Sequence, residues 1–191
     1  MRTPAPADSL RVARALLRRS QRDVAASAGM SQKTLGELEN GVSSLIERNL
    51  QLVDFYVTNG IEFLGDAHIG KVIHCAGARW SSPAGPDAPD ELKLRFRSED
   101  QAINFGAARA LVQKSQVYVA AAVEVSKATI QQLEGNSIGP QAPAYEKLKR
   151  WYENEGVAFT GWGDVASGRF FGVGVRWTQV KVIAEQKPGD T

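Results

Sequence analysis

The chain has 191 residues, 43% of them hydrophobic, which is enough for one or two globular domains with modest cores. Lys and Arg number 23 against 21 Asp and Glu, so the net charge of +2 does not by itself indicate a nucleic-acid partner. The single cysteine, Cys75, excludes an internal disulfide framework and suits a reducing cytosol. No apolar run approaches the roughly 18 residues of a membrane span and no signal peptide is visible, so we expect a soluble, cytoplasmic protein.

The first predicted element is a helix over residues 9–19, after a loose start at residues 1–8. Its apolar stripe consists of Leu10, Ala13, Leu16 and Leu17. Five arginines decorate the remaining surface: Arg11, Arg14, Arg18, Arg19 and Arg22. This arginine face is either a set of phosphate contacts or an ordinary solvated helix face.

The stretch that follows, residues 20–41, recurs 95 residues later as residues 115–136. Nine residues recur at this spacing: Ser20, Gln21, Val24, Ala25, Ala26, Ser31, Thr34, Leu38 and Glu39 match Ser115, Gln116, Val119, Ala120, Ala121, Ser126, Thr129, Leu133 and Glu134. Two copies are too few for a solenoid, so the self-similarity indicates a duplicated domain.

Each copy has the pattern of two short helices joined by a turn. Ser20 is a helix cap before residues 21–28, and Gly29 suits the positive φ of a tight turn. Ser31 caps a second helix over residues 32–40. On that helix Leu35 and Leu38 face inward, whereas Gln32, Lys33, Gly36 and Glu37 face outward.

The first copy, SQRDVAASAGMSQKTLGELENG, resembles the Cro/repressor (XRE-like) helix-turn-helix family. The family pattern is SQ-x-x-[LV]-A-x-x-[AS]-G-[VM]-S-x-x-T-[IL]-x-x-[LF]-E-x-G. The resemblance implies that the second helix enters the major groove of DNA and that the Gln opening the first helix touches the backbone. The implied groove positions are Gln32, Lys33, Thr34 and Gly36, with Gln21 on phosphate. The predicted DNA-binding set of this copy also includes Arg18, Arg22, Ser31 and Glu37.

After this motif the chain predicts a helix over residues 43–58 and then short strands. The helix carries Leu45, Ile46, Leu52, Val53, Phe55 and Tyr56 as core residues. Strands are expected at residues 61–64 and 72–75, separated by a turn at residues 65–70. Residues 156–159 and 174–177 echo this β part in the second copy, and Trp80 and Trp177 occupy matching positions. These tryptophans either pack in the core or anchor a dimer interface.

Residues 81–90, SSPAGPDAPD, read as a linker. Residues 91–97 then alternate, with Leu92, Leu94 and Phe96 on one face and Lys93, Arg95 and Arg97 on the other. This alternation predicts a strand with one face in solvent. Its counterpart after the second copy is residues 180–183. The sequence leaves open whether each strand completes its own ribbon or pairs across the copies.

The second copy begins with a predicted capping box, Ser98 with Gln101, opening a helix that reaches residue 114. Ser115 and Ser126 cap the next two helices, residues 142–155 form the last one, and residues 186–191 look frayed. Glu124 stands where the first copy has Gly29, which costs about 1 kcal/mol if φ is positive there. The predicted DNA-binding set of this copy consists of Gln116, Ser126, Lys127, Ala128, Thr129, Gln131 and Gln132.

Other chemistry is weakly indicated. His68, His74 and Cys75 are close in sequence but fall short of a metal site, so a buried thiol and strand histidines are expected. Residues 161–174 are rich in glycine without a GxxxxGK[ST] motif and predict a hairpin turn. No nucleophile–base–acid set stands out, so we expect neither an enzyme nor a cofactor.

These patterns predict a mainly α protein with small β-ribbons, an α+β fold. Its predicted domains are residues 1–80 and 91–191, each a helix-turn-helix unit of four to five helices followed by a short antiparallel β element. The leading functional hypothesis is a sequence-specific, double-stranded DNA-binding transcriptional regulator of a bacterium or its mobile elements, acting at the nucleoid as a pseudo-dimer. The alternative is a regulator of the antiactivator type that docks its helix-turn-helix surface on another transcription factor. The ribbons could also join two chains as a homodimer.

Overall fold

The computed structural model describes residues 3–42, 44–66 and 74–178. Within these residues the first half contains four helices and two strands: α1 Ala7–Leu17, α2 Gln21–Ser27, α3 Gln32–Glu39, α4 Ile46–Thr58, β1 Ile61–Asp66 and β2 His74–Trp80. The second half contains α5 Asp90–Lys93, β3 Ser98–Glu99, α6 Phe105–Val112, α7 Gln116–Ala122, α8 Lys127–Glu134, α9 Pro143–Asn154, β4 Val157–Asp164 and β5 Arg169–Trp177. The expected mixture of helices and an antiparallel β element is confirmed.

Local sequence signals account for most helix starts. Ser20 forms a full capping box with Asp23 at the start of α2, and Pro143 occupies the first turn of α9, where a missing N–H costs nothing. Between α2 and α3, Gly29 has φ of 67°, as its turn requires. Glu124 holds the same place between α7 and α8 with φ of 55°, so the strain expected there is present.

The strands form one sheet that spans both halves of the chain. Hairpin β1–β2 and hairpin β4–β5 are joined because β2 pairs antiparallel with β5. The short strand β3 pairs with the first part of β5. The pairing therefore crosses between the copies, which answers the question that the sequence left open.

The β2–β5 pairing has a local pseudo-twofold axis. Gly77 pairs with Arg176, Ala78 with Val175, and Arg79 with Gly174. Gly77, Ala78 and Arg79 correspond in the repeat to Gly174, Val175 and Arg176. The ladder therefore reads the same from either strand, and its centre lies at the Ala78–Val175 pair.

The helices reinforce this junction. Helix α1 packs against α6, its counterpart in the repeat, and Arg11 Nε donates to the carbonyl oxygen of Ala110 at 3.2 Å. Trp177 Nε1 donates to Asp8 Oδ2 at 2.6 Å and ties β5 to α1. One continuous cluster of buried side chains runs through both copies.

The strand predicted at residues 91–97 is wrong. Residues 90–93 form helix α5, and Leu94, expected on an apolar face, is 87% exposed. Lys93, expected to face solvent, is buried and donates to Asp164 Oδ1 at 2.8 Å. The position of this segment therefore depends on a long-range ion pair, which the alternation of apolar and polar residues does not indicate.

The capping box predicted at Ser98 is also wrong. Ser98 lies in β3, where its hydroxyl accepts from Arg169 Nε. Helix α6 starts at Phe105 instead, capped by Asn104, whose side-chain oxygen accepts from the Ala107 N–H at 2.9 Å. Residues 98–99 pair with β5 and are therefore part of the sheet and not of the helix.

Smaller differences concern the first half. Helix α1 begins at Ala7, and Ala5 is buried with its N–H bonded to Asn49 Oδ1, so the described part of the expected loose start is packed. Ile46, expected in the core, is 56% exposed at the start of α4. His68 and the predicted elements at residues 72–73, 180–183 and 186–191 lie outside the described residues.

The Lys93–Asp164 pair predicts an acid dependence of stability. Hydrogen bonds from Lys93 and then Ser167 lower the pKa of Asp164 to about 2. Because an unfolded aspartate has a pKa of about 3.9, the carboxylate stabilises the fold fully above that pH and loses this effect as the pH falls towards 2. In urea titrations we expect Asp164→Asn to be less stable than the parent at pH 6, with a gap that narrows below pH 4. The exposed Asp87→Asn is the control, and a gap that stays constant with pH would contradict the assignment.

Candidate nucleic-acid interface

Helices α3 and α8 begin with the same cap. Ser31 Oγ accepts from the Thr34 N–H at 3.0 Å and lies 2.9 Å from Thr34 Oγ1. Ser126 and Thr129 repeat this geometry at the same two distances. The hydroxyls of these four predicted site residues therefore hold the first turn of each helix in shape.

The outward face of α3 is accessible where the sequence predicts it. Gln32 and Lys33 are exposed, and Gly36 is half-buried, while Leu35 and Leu38 are buried beneath them. Lys33 Nζ lies 3.8 Å from Glu37 Oε1, one helical turn away. An exposed pair of this kind contributes only about 0.3–0.5 kcal/mol, so Lys33 can exchange it for another anion.

The outward face of α8 carries no carboxylate. Lys127, Ala128, Gln131 and Gln132 are exposed, above buried Ile130 and Leu133. Within the described residues Lys127 has no ion-pair partner. The outward face of α8 thus presents a cation and two amides, with no carboxylate of its own.

A buried carboxylate links each outward helix to the two helices before it. Glu39, at the end of α3, is 2% exposed. It accepts from Arg14 Nε at 2.6 Å, from Arg14 Nη2 at 3.0 Å and from Gln21 Nε2 at 2.7 Å. The predicted phosphate contact Gln21 is therefore held in position by Glu39, and the amide nitrogen keeps one further hydrogen to donate.

The second copy repeats this arrangement at Glu134. Arg109 donates to it at 2.5 and 3.0 Å, and Gln116 Nε2 donates at 2.8 Å. The hydrogen bond that Arg109 donates to Glu134 raises the pKa of Arg109 despite burial. We call these two groups, Arg14–Glu39–Gln21 and Arg109–Glu134–Gln116, the carboxylate hubs.

A buried tyrosine lies near each hub. Burial, and then the negative charge of Glu39, raise the pKa of Tyr56. Burial and Glu134 do the same for Tyr152. Both phenols stay protonated at every physiological pH, and neither hydroxyl has a hydrogen-bond partner among the described residues.

The hubs predict a stability effect. We expect Glu39→Gln to lower the free energy of unfolding by about 2 kcal/mol, because it leaves the half-buried Arg14 guanidinium without a countercharge. Glu37→Gln, on the same helix, should cost less than about 0.5 kcal/mol because that carboxylate is only half-buried and pairs with the exposed Lys33. Chemical denaturation measures both, and equal effects would contradict the role of the hub.

The arginine face divides into two groups. Arg11 and Arg14 turn towards the protein: Arg11 Nη1 donates to the Glu39 carbonyl at 2.5 Å, and Arg14 pairs with the Glu39 carboxylate. The expectation of a uniformly solvent-facing arginine surface is therefore wrong for these two. Arg18, Arg19 and Arg22 are exposed.

The other residues that the sequence analysis singled out lie outside the candidate interface. Within the described residues no three His, Cys, Asp or Glu side chains come close enough to hold a metal ion. Cys75, expected to be buried, is only half-buried. Trp80 is 2% exposed and Trp177 is half-buried, so both pack within the chain. The glycine-rich residues 161–174 form the β4–β5 hairpin, as expected.

Sequence reasoning named Arg14 but missed its role in the hub, and it missed Arg109 and the cation Lys114 altogether. The signal for the hubs was available, because Arg14 and Arg109 recur at the same spacing of 95 residues as Glu39 and Glu134. Lys114 also matches a cation, Arg19, at this spacing, but the match does not show that Lys114 lines a cleft, because the cleft depends on which helices meet.

No family model, no curated protein and no solved structure matches this chain. In the part of the chain that the structure describes, no helix is long and apolar enough to cross a membrane.

Proposed function

We propose that this chain is a sequence-specific, double-stranded DNA-binding transcriptional regulator. The pairs α2–α3 and α7–α8 act as two helix-turn-helix readers, with α3 and α8 entering the major groove. Their caps, their accessible donors and the carboxylate hubs that hold them support this assignment. The setting we propose is the cytoplasm of a bacterium, at the nucleoid or on a mobile element.

The observation that carries the proposal is the pseudo-twofold pairing of β2 with β5 about Ala78 and Val175. Paired readers usually bind two half-sites about 10 bp apart, and twofold protein symmetry is mirrored in the operator. One chain then acts as a built-in dimer on inverted half-sites. Helix α3 begins with the sequence QKTLGE and helix α8 with KATIQQ. Because the two outward faces differ, the two half-sites should differ in sequence.

Substitutions at the readers test the assignment. Gln32→Ala and Lys33→Ala should each weaken specific binding by about 1–3 kcal/mol and change preference in one half-site only. Gln131→Ala in α8 should change the other half-site. Lys147→Ala, on the exposed surface of α9, is the matched control. Fluorescence anisotropy on a panel of half-site variants measures this, and unchanged affinity in all three reader variants would contradict the roles.

A protein-binding regulator of the antiactivator type is the second candidate. Two observations favour it: Glu37 lies on the α3 face, and Val117 and Tyr118 of α7 are 61% and 51% exposed. Salt dependence separates the two functions. A DNA reader loses affinity with a log–log slope of about −0.9 per phosphate contact, whereas a protein binder shows little affinity for DNA at about 0.15 M salt.

A further inference from the structure

A cleft of about 640 Å³ lies between α1 and α6 and opens beside α7 and α8. Its walls include Arg11 and Arg18 from the first copy and Lys114, Gln116 and Gln131 from the second. Residues of both copies therefore line the cleft, including Gln116 and Gln131, the two amide side chains that we propose face DNA.

The repeat is broken at one position that lines the cleft. In the first copy, Arg11 reaches from α1 to the carbonyl oxygens of Ala110 and Glu39. The matching residue in α6 is Gly106. Because Gly106 has no side chain, nothing reaches from α6 towards Ala15 and Glu134 as Arg11 reaches from α1. Ala15, Gly106 and Glu134 all line the cleft.

Three cations of the cleft have no carboxylate partner among the described residues. Arg11 donates only to the two carbonyls. Burial lowers its pKa, although the charges of Asp8 and Glu39 act in the opposite direction. Lys114 Nζ lies 4.5 Å from the Tyr118 ring centroid, and Arg18 is exposed. By contrast, Arg14 and Arg109 are neutralised in the hubs.

We propose that this cleft binds a phosphate group. A tetrahedral dianion can accept from several donors at once, which suits two guanidinium groups, an ammonium group and neighbouring amides better than a single carboxylate would. The phosphate comes either from the DNA backbone between the two readers, which rests on the proposed function, or from a phosphorylated small molecule that competes with DNA.

The first experiment titrates inorganic pyrophosphate into the full chain by isothermal titration calorimetry. Arg18→Ala combined with Lys114→Ala removes two donors, and Gly106→Met narrows the cleft without adding charge. A Cβ at Gly106 would meet only Asn104 Oδ1 within 4 Å, at 3.4 Å, so a side chain can begin there without a severe clash. Arg95→Ala, at an exposed arginine outside the cleft, is the control.

If free phosphate is the ligand, pyrophosphate binds the parent and the control, and both cleft variants weaken it about tenfold or more. Pyrophosphate should then also displace a DNA duplex. If DNA supplies the phosphate, pyrophosphate binds poorly, but both cleft variants flatten the salt slope of duplex binding by about one unit.

The proposal is overturned if pyrophosphate binds the cleft variants as well as the parent. It is also overturned if pyrophosphate fails to bind and the cleft variants leave the salt slope unchanged. Absence of any DNA binding by the parent would instead contradict the proposed function, and the pyrophosphate titration would then decide the cleft alone.

Discussion

Replacing Gly77 with alanine is expected to lower the free energy of unfolding by about 3 kcal/mol or more, because the added methyl group meets backbone rather than open space. A Cβ at Gly77 would lie 2.1 Å from the carbonyl oxygen of Val175 and 2.5 Å from Arg176 Cα. Neither atom can move without shifting β5. The pseudo-twofold mate, Gly174→Ala, should cost a similar amount, because its Cβ would lie 2.3 Å from the Ala78 carbonyl oxygen.

Gly85→Ala in the linker is the matched control, since its Cβ would meet no atom within 4 Å. Chemical denaturation of the three variants measures the effect. If Gly77→Ala and Gly174→Ala are as stable as Gly85→Ala, the two copies do not meet through β2 and β5.

The second large effect concerns the spacing of the operator half-sites. Inserting 5 bp between them should weaken binding about 10²-fold or more, because the second half-site turns to the far side of the duplex and only one reader can engage. Inserting about 10 bp returns the second half-site to the same face of the duplex but increases the distance between the half-sites by roughly 34 Å. The shared sheet and the α1–α6 contact fix the readers at one separation, so we expect no recovery at 10 bp.

A chain whose copies were joined only by the linker at residues 81–90 would behave differently. It would tolerate small changes of spacing and recover part of its affinity at the longer insertion. Anisotropy titrations on the three duplexes separate these outcomes. Recovery at 10 bp would contradict a rigid pair of readers.

The sequence predicted the local structure of each copy well. Serine caps, the turn glycine and inward leucines at helical spacing are signals that act within a few residues, so α2, α3, α7 and α8 agree closely with expectation. The repeat also pointed to Glu124 as the residue at the position of Gly29, and its φ is indeed positive there.

The joining of the copies could not be predicted in this way. The β2–β5 ladder links residues 77–79 with residues 174–176, and alternation within a strand does not specify its distant partner. The same limit explains the failed strand at residues 91–97, where burial of Lys93 depends on Asp164, 71 residues further on. The cleft also depends on this junction, since it forms only where α1 meets α6.

Selection from random double-stranded oligonucleotides with the purified full chain tests the central proposal most directly. We predict enrichment of one bipartite motif, with two unlike half-sites in inverted orientation at a single spacing of about 10 bp. Substitutions in α3 and α8 should change one half-site each. Failure to enrich any motif would contradict DNA reading and favour a protein-binding regulator, and directly repeated half-sites or variable spacing would contradict the pseudo-twofold pair of readers.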